Sequence, residues 1–164
     1  MNEALCRELA QLLQDRGWML ATAESCTGGM IAAACTDLAG SSAWFERGFV
    51  TYSNAAKTES LGVDPALIEQ HGAVSDVVAR AMAFGATRHS QAQVGVAVTG
   101  IAGPTGGTDA KPVGTVCFGF QVHGRLSNET KHFDGDRAAV RAATVRHALT
   151  RLVELVAETP ADHS

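Results

Sequence analysis

The sequence predicts an α/β fold: a three-layer α/β/α sandwich on a mixed sheet, built as a single domain over residues 1–164. Three observations carry this reading. Short apolar runs alternate with helical apolar stripes over the first two thirds of the chain, the pattern of parallel strands joined by helices. Two strand-like runs then follow one another across a tight turn, which adds an antiparallel hairpin. With 164 residues, 46% of them apolar and 18% charged, the chain holds enough material for one core and too little for two.

The elements follow in order. Leu5, Leu9, Leu12 and Leu13 form a helical stripe that Gly17 ends. Trp18 to Ala23 reads as a strand, and it runs through the tight turn Glu24-Ser25-Cys26-Thr27-Gly28-Gly29 into a helix from Met30 to Leu38, closed at Gly40. Phe45 to Tyr52 is a second strand. Ser53-Asn54 caps a short helix from Ala55 to Leu61, and Asp64-Pro65 opens another that ends near His71-Gly72. Ser75 caps a longer helix reaching about Ser90, with Val77, Val78, Ala81, Met82 and Phe84 turned inward. Gln93 to Val98 is a buried strand and leads into the glycine-rich segment Thr99 to Asp109. Val113 to Val122 and Leu126 to Phe133 form the hairpin around His123-Gly124-Arg125. Asp134-Gly135-Asp136 caps the last helix, whose inner face carries Val140, Val145, Leu149, Leu152, Leu155 and Val156. The tail from Glu158 to Ser164 is expected to fray.

Charge and composition exclude several classes. The net charge is −4, so a partner held by phosphate neutralisation, such as a nucleic acid, is not expected, and neither is a polybasic membrane contact. The uncharged run through Thr99–Gly107 is broken by glycines and Pro104 and cannot be a membrane helix. The N-terminus lacks a basic segment followed by an apolar one, so no secretory signal is expected and the setting is read as cytoplasmic. Four cysteines at 6, 26, 35 and 117 contain no Cys-x-x-Cys pair and no zinc spacing; they read as reduced structural thiols, with no metal. A homo-oligomer is left open.

Chemistry is sought first at the turn after the first strand. Ser25 stands at a strand's carboxyl end, where open α/β sheets place ligands. The amides of Thr27, Gly28 and Gly29 lie at a helix start and suit an oxyanion. Ser25 also reads simply as a helix cap. The flanking residues Ala23 and Thr27 do not make Gly-x-Ser-x-Gly. None of the six histidines (71, 89, 123, 132, 147, 163) stands at a strand end beside a glycine turn. Among the three lysines, Lys57 sits near a helix N-terminus, which disfavours the ammonium and permits a basic amine, although an exposed surface lysine would have the same sequence. The loop Thr99 to Asp109 could hold an anion on its amides or could merely turn the chain. Arg137 and Arg141 share one helix face and could grip a phosphate with forked donors, or simply face solvent.

Taken in order, Ala23-Glu24-Ser25-Cys26-Thr27-Gly28-Gly29, Tyr52-Ser53-Asn54-x-x-Lys57, Gly72-Ala73-Val74-Ser75, Val98-Thr99-Gly100-Ile101-Ala102-Gly103-Pro104-x-Gly106-Gly107, Pro112-Val113-Gly114-Thr115-Val116 and Gly135-Asp136-Arg137-x-x-Val140-Arg141 resemble the CinA C-terminal domain family, the nicotinamide-nucleotide amidohydrolases. The resemblance spans nearly the whole chain, in what looks like the family's stand-alone form. It implies hydrolysis of the carboxamide of nicotinamide mononucleotide (NMN) to nicotinate mononucleotide and ammonia, within NAD recycling, by a Ser/Lys dyad without metal or cofactor. By motif position Ser25 would be the nucleophile, Lys57 its base, and Tyr52 an aid to proton traffic or to the orientation of the dyad. Thr27, Gly28, Gly29, Asn54, Thr99, Gly100, Gly103, Arg137 and Arg141 would bind the nucleotide. The alternatives are an inactive nucleotide-binding module of the competence/damage-inducible type and a serine amidase for another aromatic amide.

Overall fold

The structure, a computed structural model, describes residues 2–161. In chain order it contains α1 (Glu3–Arg16), β1 (Leu20–Glu24), α2 (Met30–Thr36), β2 (Phe45–Val50), α3 (Asn54–Leu61), α4 (Pro65–His71), α5 (Asp76–Arg88), β3 (Val94–Gly100), β4 (Thr115–Val122), β5 (Arg125–His132) and α6 (Arg137–Glu158). The sheet runs β2-β1-β3-β4-β5; β1 pairs parallel with β2 and β3, and β4 and β5 complete it antiparallel. Helices α1, α2 and α6 cover one face and α3, α4 and α5 the other, so the mixed three-layer sandwich of one domain is observed.

Local chemistry explains the boundaries. Ser53, Asp64, Ser75 and Asp136 each accept a backbone amide from the first turn of the helix they precede. Gly17 closes α1 in the left-handed conformation, which costs glycine no Cβ clash. Val94, Val96 and Val98 alternate out of β3 toward α1 and α6, joined there by Phe118 and Phe120 of β4. The opposite face is lined by small residues, among them Ala21, Ala23, Gly95, Ala97 and Gly119. That lets α5 lie close on the sheet: a Cβ at Gly119 would sit 2.1 Å from the carbonyl oxygen of Ala79.

Four expectations shift. The first strand begins at Leu20 rather than Trp18; Trp18 still donates its amide to Leu13 at the end of α1, and its ring stacks on His123. The second strand ends at Val50. Phe84, expected inside, is 51% exposed, because the inner face of α5 is taken by Val78, Ala79, Met82, Ala83 and Ala86. Fraying does not begin at Glu158: α6 includes that residue, and Thr159 is buried with its carbonyl accepting from Arg16 Nε at 3.0 Å. The end of the expected tail, 162–164, lies outside the described residues. Among the described residues no helix is long and apolar enough to cross a membrane.

The close seat of α5 is testable. Gly119→Ala is expected to lower folding stability by about 2–3 kcal/mol, since backbone rather than a movable side chain must yield. The fall should appear in the urea midpoint at unchanged slope.

Candidate active site

The site begins where β1 runs out. Ser25 extends the ladder by one bond, its amide donating to Val98 at 3.1 Å, and its carbonyl then accepts from Gly28 at 3.1 Å to close the turn. Gly28 and Gly29 follow at φ +57° and +106°, left-handed backbone that favours glycine. Gly29 stands where α2 would carry a capping side chain and has none to offer. The cap comes from behind: the buried carboxylate of Glu24 accepts from Thr27 Oγ1 at 2.6 Å and from the amides of Ile31 and Ala32 at 2.8 and 3.1 Å. The amides at the start of α2 are therefore spent on Glu24, and that of Gly28 on the turn. The amides of Thr27 and Gly29 donate to no protein group among the described residues.

Lys57 reaches this turn from α3. It is 1% exposed, and its Nζ lies 3.1 Å from Ser25 Oγ, 3.1 Å from the carbonyl of Thr51 and 3.2 Å from that of Tyr52. Burial pushes its amine below the ordinary lysine value, with Cys26 opposing weakly. These three neighbours serve both forms of the amine: an ammonium donates to all three, and a neutral amine donates to the two carbonyls and turns its lone pair to the hydroxyl of Ser25. Ser25 is buried but keeps 8% of its surface open.

The other expected residues divide. Tyr52 touches the dyad through its carbonyl, while its ring hydroxyl accepts from Arg137 Nη2 at 3.2 Å. Arg137 also donates to the carbonyl of Gly103 at 2.9 Å, and so draws the glycine loop to the site. Arg141 donates to the carbonyls of Cys26 and Thr27 at 3.1 and 3.3 Å, and its Nη2 lies over Gly28. Neither arginine is a bare surface group. Thr99 spends its hydroxyl on the carbonyl of Ala73 at 2.9 Å. Gly100 is packed against Val116, Thr115 and Cys26 with no room for a Cβ. Asn54 opens α3 at the surface and makes no hydrogen bond to Ser25 or Lys57 among the described residues. Two contributors escaped the sequence reading. Thr51 acts through its carbonyl, which leaves no side-chain signal. Glu24 had one: an acid ending an apolar strand, ahead of a helix whose cap position is glycine.

Cys26, the neighbour of Ser25, is buried in the α1/α2/α6 core, and burial raises its thiol to about 11. The described histidines are occupied or exposed elsewhere: the imidazole of His147 meets Glu129, and that of His132 meets the carbonyl of Val113. Among the described residues no group of three or more His, Cys, Asp or Glu is placed to hold a metal ion.

Polar groups thus gather at the carboxyl ends of β1, β2 and β3, in the crevice where an open α/β sheet takes its ligand. The chain belongs to the CinA C-terminal domain family, whose model matches residues 2–156. It is 54% identical over 151 residues to the nicotinamide-nucleotide amidohydrolase PncC of Enterobacter agglomerans, covering 91% of this chain and 92% of that one. It is also 54% identical over 151 residues to a CinA-like protein of a Geobacter species, there covering 92% of this chain but 36% of the longer relative. The crystal structure of the competence/damage inducible protein CihA from Agrobacterium tumefaciens superposes with a TM-score of 0.90 at 47% identity, over 93% of this chain and 94% of that one.

All four cysteines are free and buried. Burial shields all four from reagent, and at Cys26 it also keeps the thiol protonated, raising it to about 11. The native protein is expected to give far less than one thiol per chain with an aromatic disulfide reagent, and four after unfolding in guanidinium.

Proposed function

We propose that this protein hydrolyses the carboxamide of nicotinamide mononucleotide to nicotinate mononucleotide and ammonia, a step of NAD recycling, with Ser25 as nucleophile and Lys57 as its base. The observation that carries the reading is the 3.1 Å approach of a buried lysine amine to the hydroxyl of Ser25. The full-length similarity to enzymes named for this activity supplies the substrate.

The chemistry follows from the geometry. The pyridinium ring withdraws electrons from the carboxamide and makes its carbon more electrophilic. Ser25 Oγ attacks as its proton passes to Lys57 Nζ. The oxyanion is received by the amides of Thr27 and Gly29, which have no protein acceptor to give up. Lys57 returns the proton to the departing ammonia. Water then attacks the ester carbon as its proton passes to Lys57, and Lys57 returns that proton to Ser25 Oγ as the acyl–oxygen bond breaks and the nicotinate product leaves. Each proton transfer uses one amine, held by the carbonyls of Thr51 and Tyr52. Tyr52 orients the dyad through that carbonyl. Arg137 and Arg141 each keep donors beyond those given to the protein and supply positive charge for the nucleotide's phosphate. An inactive binding module is not favoured, because it gives no reason to bury an amine against a serine. A reducing cytosolic setting accords with four unpaired thiols.

Ser25→Ala should remove nearly all release of ammonia from NMN while the protein stays folded. Lys57→Arg should fail equally, because a guanidinium keeps its proton. Activity should rise with pH, since the base must be neutral and protonated Lys57 is inactive. The midpoint should fall below the ordinary lysine range because burial lowers the value. A normal rate in Lys57→Arg would remove the base from this scheme.

Arg137 separates phosphate binding from catalysis better than Arg141, which also braces the nucleophile turn. Arg137→Ala is expected to lower kcat/KM for NMN by about tenfold to a hundredfold and to affect the riboside, which has no phosphate, far less. Arg141→Ala should lower both.

A further inference from the structure

Glu24 has no exposed surface, and burying an ionised carboxylate is costly unless donors surround it. Three donors converge on it, the hydroxyl of Thr27 and the amides of Ile31 and Ala32, and all belong to the segment just after Ser25. These bonds tie the last residue of β1 to the first turn of α2, so Ser25 lies inside the loop they close. From the outer side Arg141 holds the carbonyls of Cys26 and Thr27. The turn is clamped between an anion that takes its donors and a cation that takes its acceptors.

Helices α3, α4, α5 and α6 start on a local cap: Ser53, Asp64, Ser75 and Asp136. At α2 the backbone of Gly29, at φ +106°, leaves no place for such a residue, and a strand residue five positions earlier does the work. A local cap would stabilise the helix and leave its distance from the strand free. Glu24 fixes both together.

We propose that Glu24 is a positioning residue for the nucleophile: it touches no reacting atom, and it sets the turn so that Ser25 Oγ meets Lys57 Nζ. This rests on Ser25 as nucleophile and not on which amide is hydrolysed.

The test measures Ser25 directly. An aryl sulfonyl fluoride reacts with an activated serine as the Oγ–S bond forms, the S–F bond breaks, and fluoride and a proton leave; intact mass gives the rate. Glu24→Gln keeps the shape of the side chain but turns one acceptor into an NH2 group that faces another donor. Thr27→Val removes one of the three bonds and keeps the backbone amide, so it carries the test if Glu24→Gln does not fold. Folded Glu24→Gln is expected to lose about tenfold to a hundredfold both in labelling rate and in kcat on NMN. Its KM should stay within about threefold, and the pH midpoint set by Lys57 should not move. Thr27→Val should lose less, in the same direction. A labelling rate within about twofold of the wild type in a folded Glu24→Gln, whatever its melting temperature, would reduce Glu24 to a helix cap and overturn the proposal. So would a defect confined to KM. Labelling needs no nucleotide, so a wild-type protein labelled at Ser25 that left NMN intact would refute the substrate and leave this inference to stand on the labelling rates.

Discussion

A primary amine sealed inside a protein needs an acceptor for each hydrogen it carries, and the end of β2 supplies them. β2 is an edge strand paired only with β1. Beyond Val50 the amide of Thr51 still bonds to Glu24, but the carbonyls of Thr51 and Tyr52 turn to Lys57. Ser53 then caps α3, and one turn later Lys57 comes back over the two carbonyls, its own amide donating to Ser53. Residues 51–57 thus build most of the amine's seat from one short stretch of chain. The third partner, Ser25 Oγ, comes from the end of the neighbouring strand. The pairing of Glu24 with Val50 sets those strand ends side by side, so the register of β1 on β2 fixes the distance between nucleophile and amine.

The rest of the architecture holds that corner in place. β1 lies between two parallel neighbours; the chain leaves it through α2 on one face and reaches β3 through α3, α4 and α5 on the other. Connections diverging from a central strand open a crevice at its carboxyl end, and there Ser25, Lys57 and the arginines meet. Face-lining glycines and alanines let α5 press close to the sheet, and α3 presses on α5 in turn: a Cβ at Gly85 would stand 2.1 Å from the carbonyl of Leu61. Lys57 and Leu61, one turn apart, are the two buried residues of α3. The seat of the amine and the packing of α5 are therefore one arrangement.

Much of this was legible in the residues. The capping serines and aspartates marked their helices, and the His123-Gly124 turn marked the hairpin. Ser25 was conspicuous as a serine between a strand and two glycines. What periodicity could not give was depth. Lys57 on a short helix reads as a solvated side chain, and only its one-turn spacing from Leu61 hints that it shares the inner face. Phe84 misled in the opposite sense: an apolar residue on an amphipathic helix, exposed because smaller neighbours fill the close contact with the sheet. The arginines were read either as donors for a phosphate or as groups facing solvent. Their bonds to Gly103, Tyr52, Cys26 and Thr27 involve main chain or residues remote in sequence, which no local pattern encodes.

The bracing of the nucleophile turn by Arg141 also bears on when the site comes into being. Ser25 and Lys57 lie in the first half of the sequence, whereas Arg141 belongs to α6, which follows all five strands. During synthesis the serine and the lysine emerge early, but the guanidinium that holds the carbonyls of Cys26 and Thr27 arrives only when α6 docks against α1 and the sheet. A nascent or truncated chain therefore carries the reactive groups without the brace. Completion of the nucleophile turn is thereby tied to the docking of α6, through a contact that spans 115 residues of sequence.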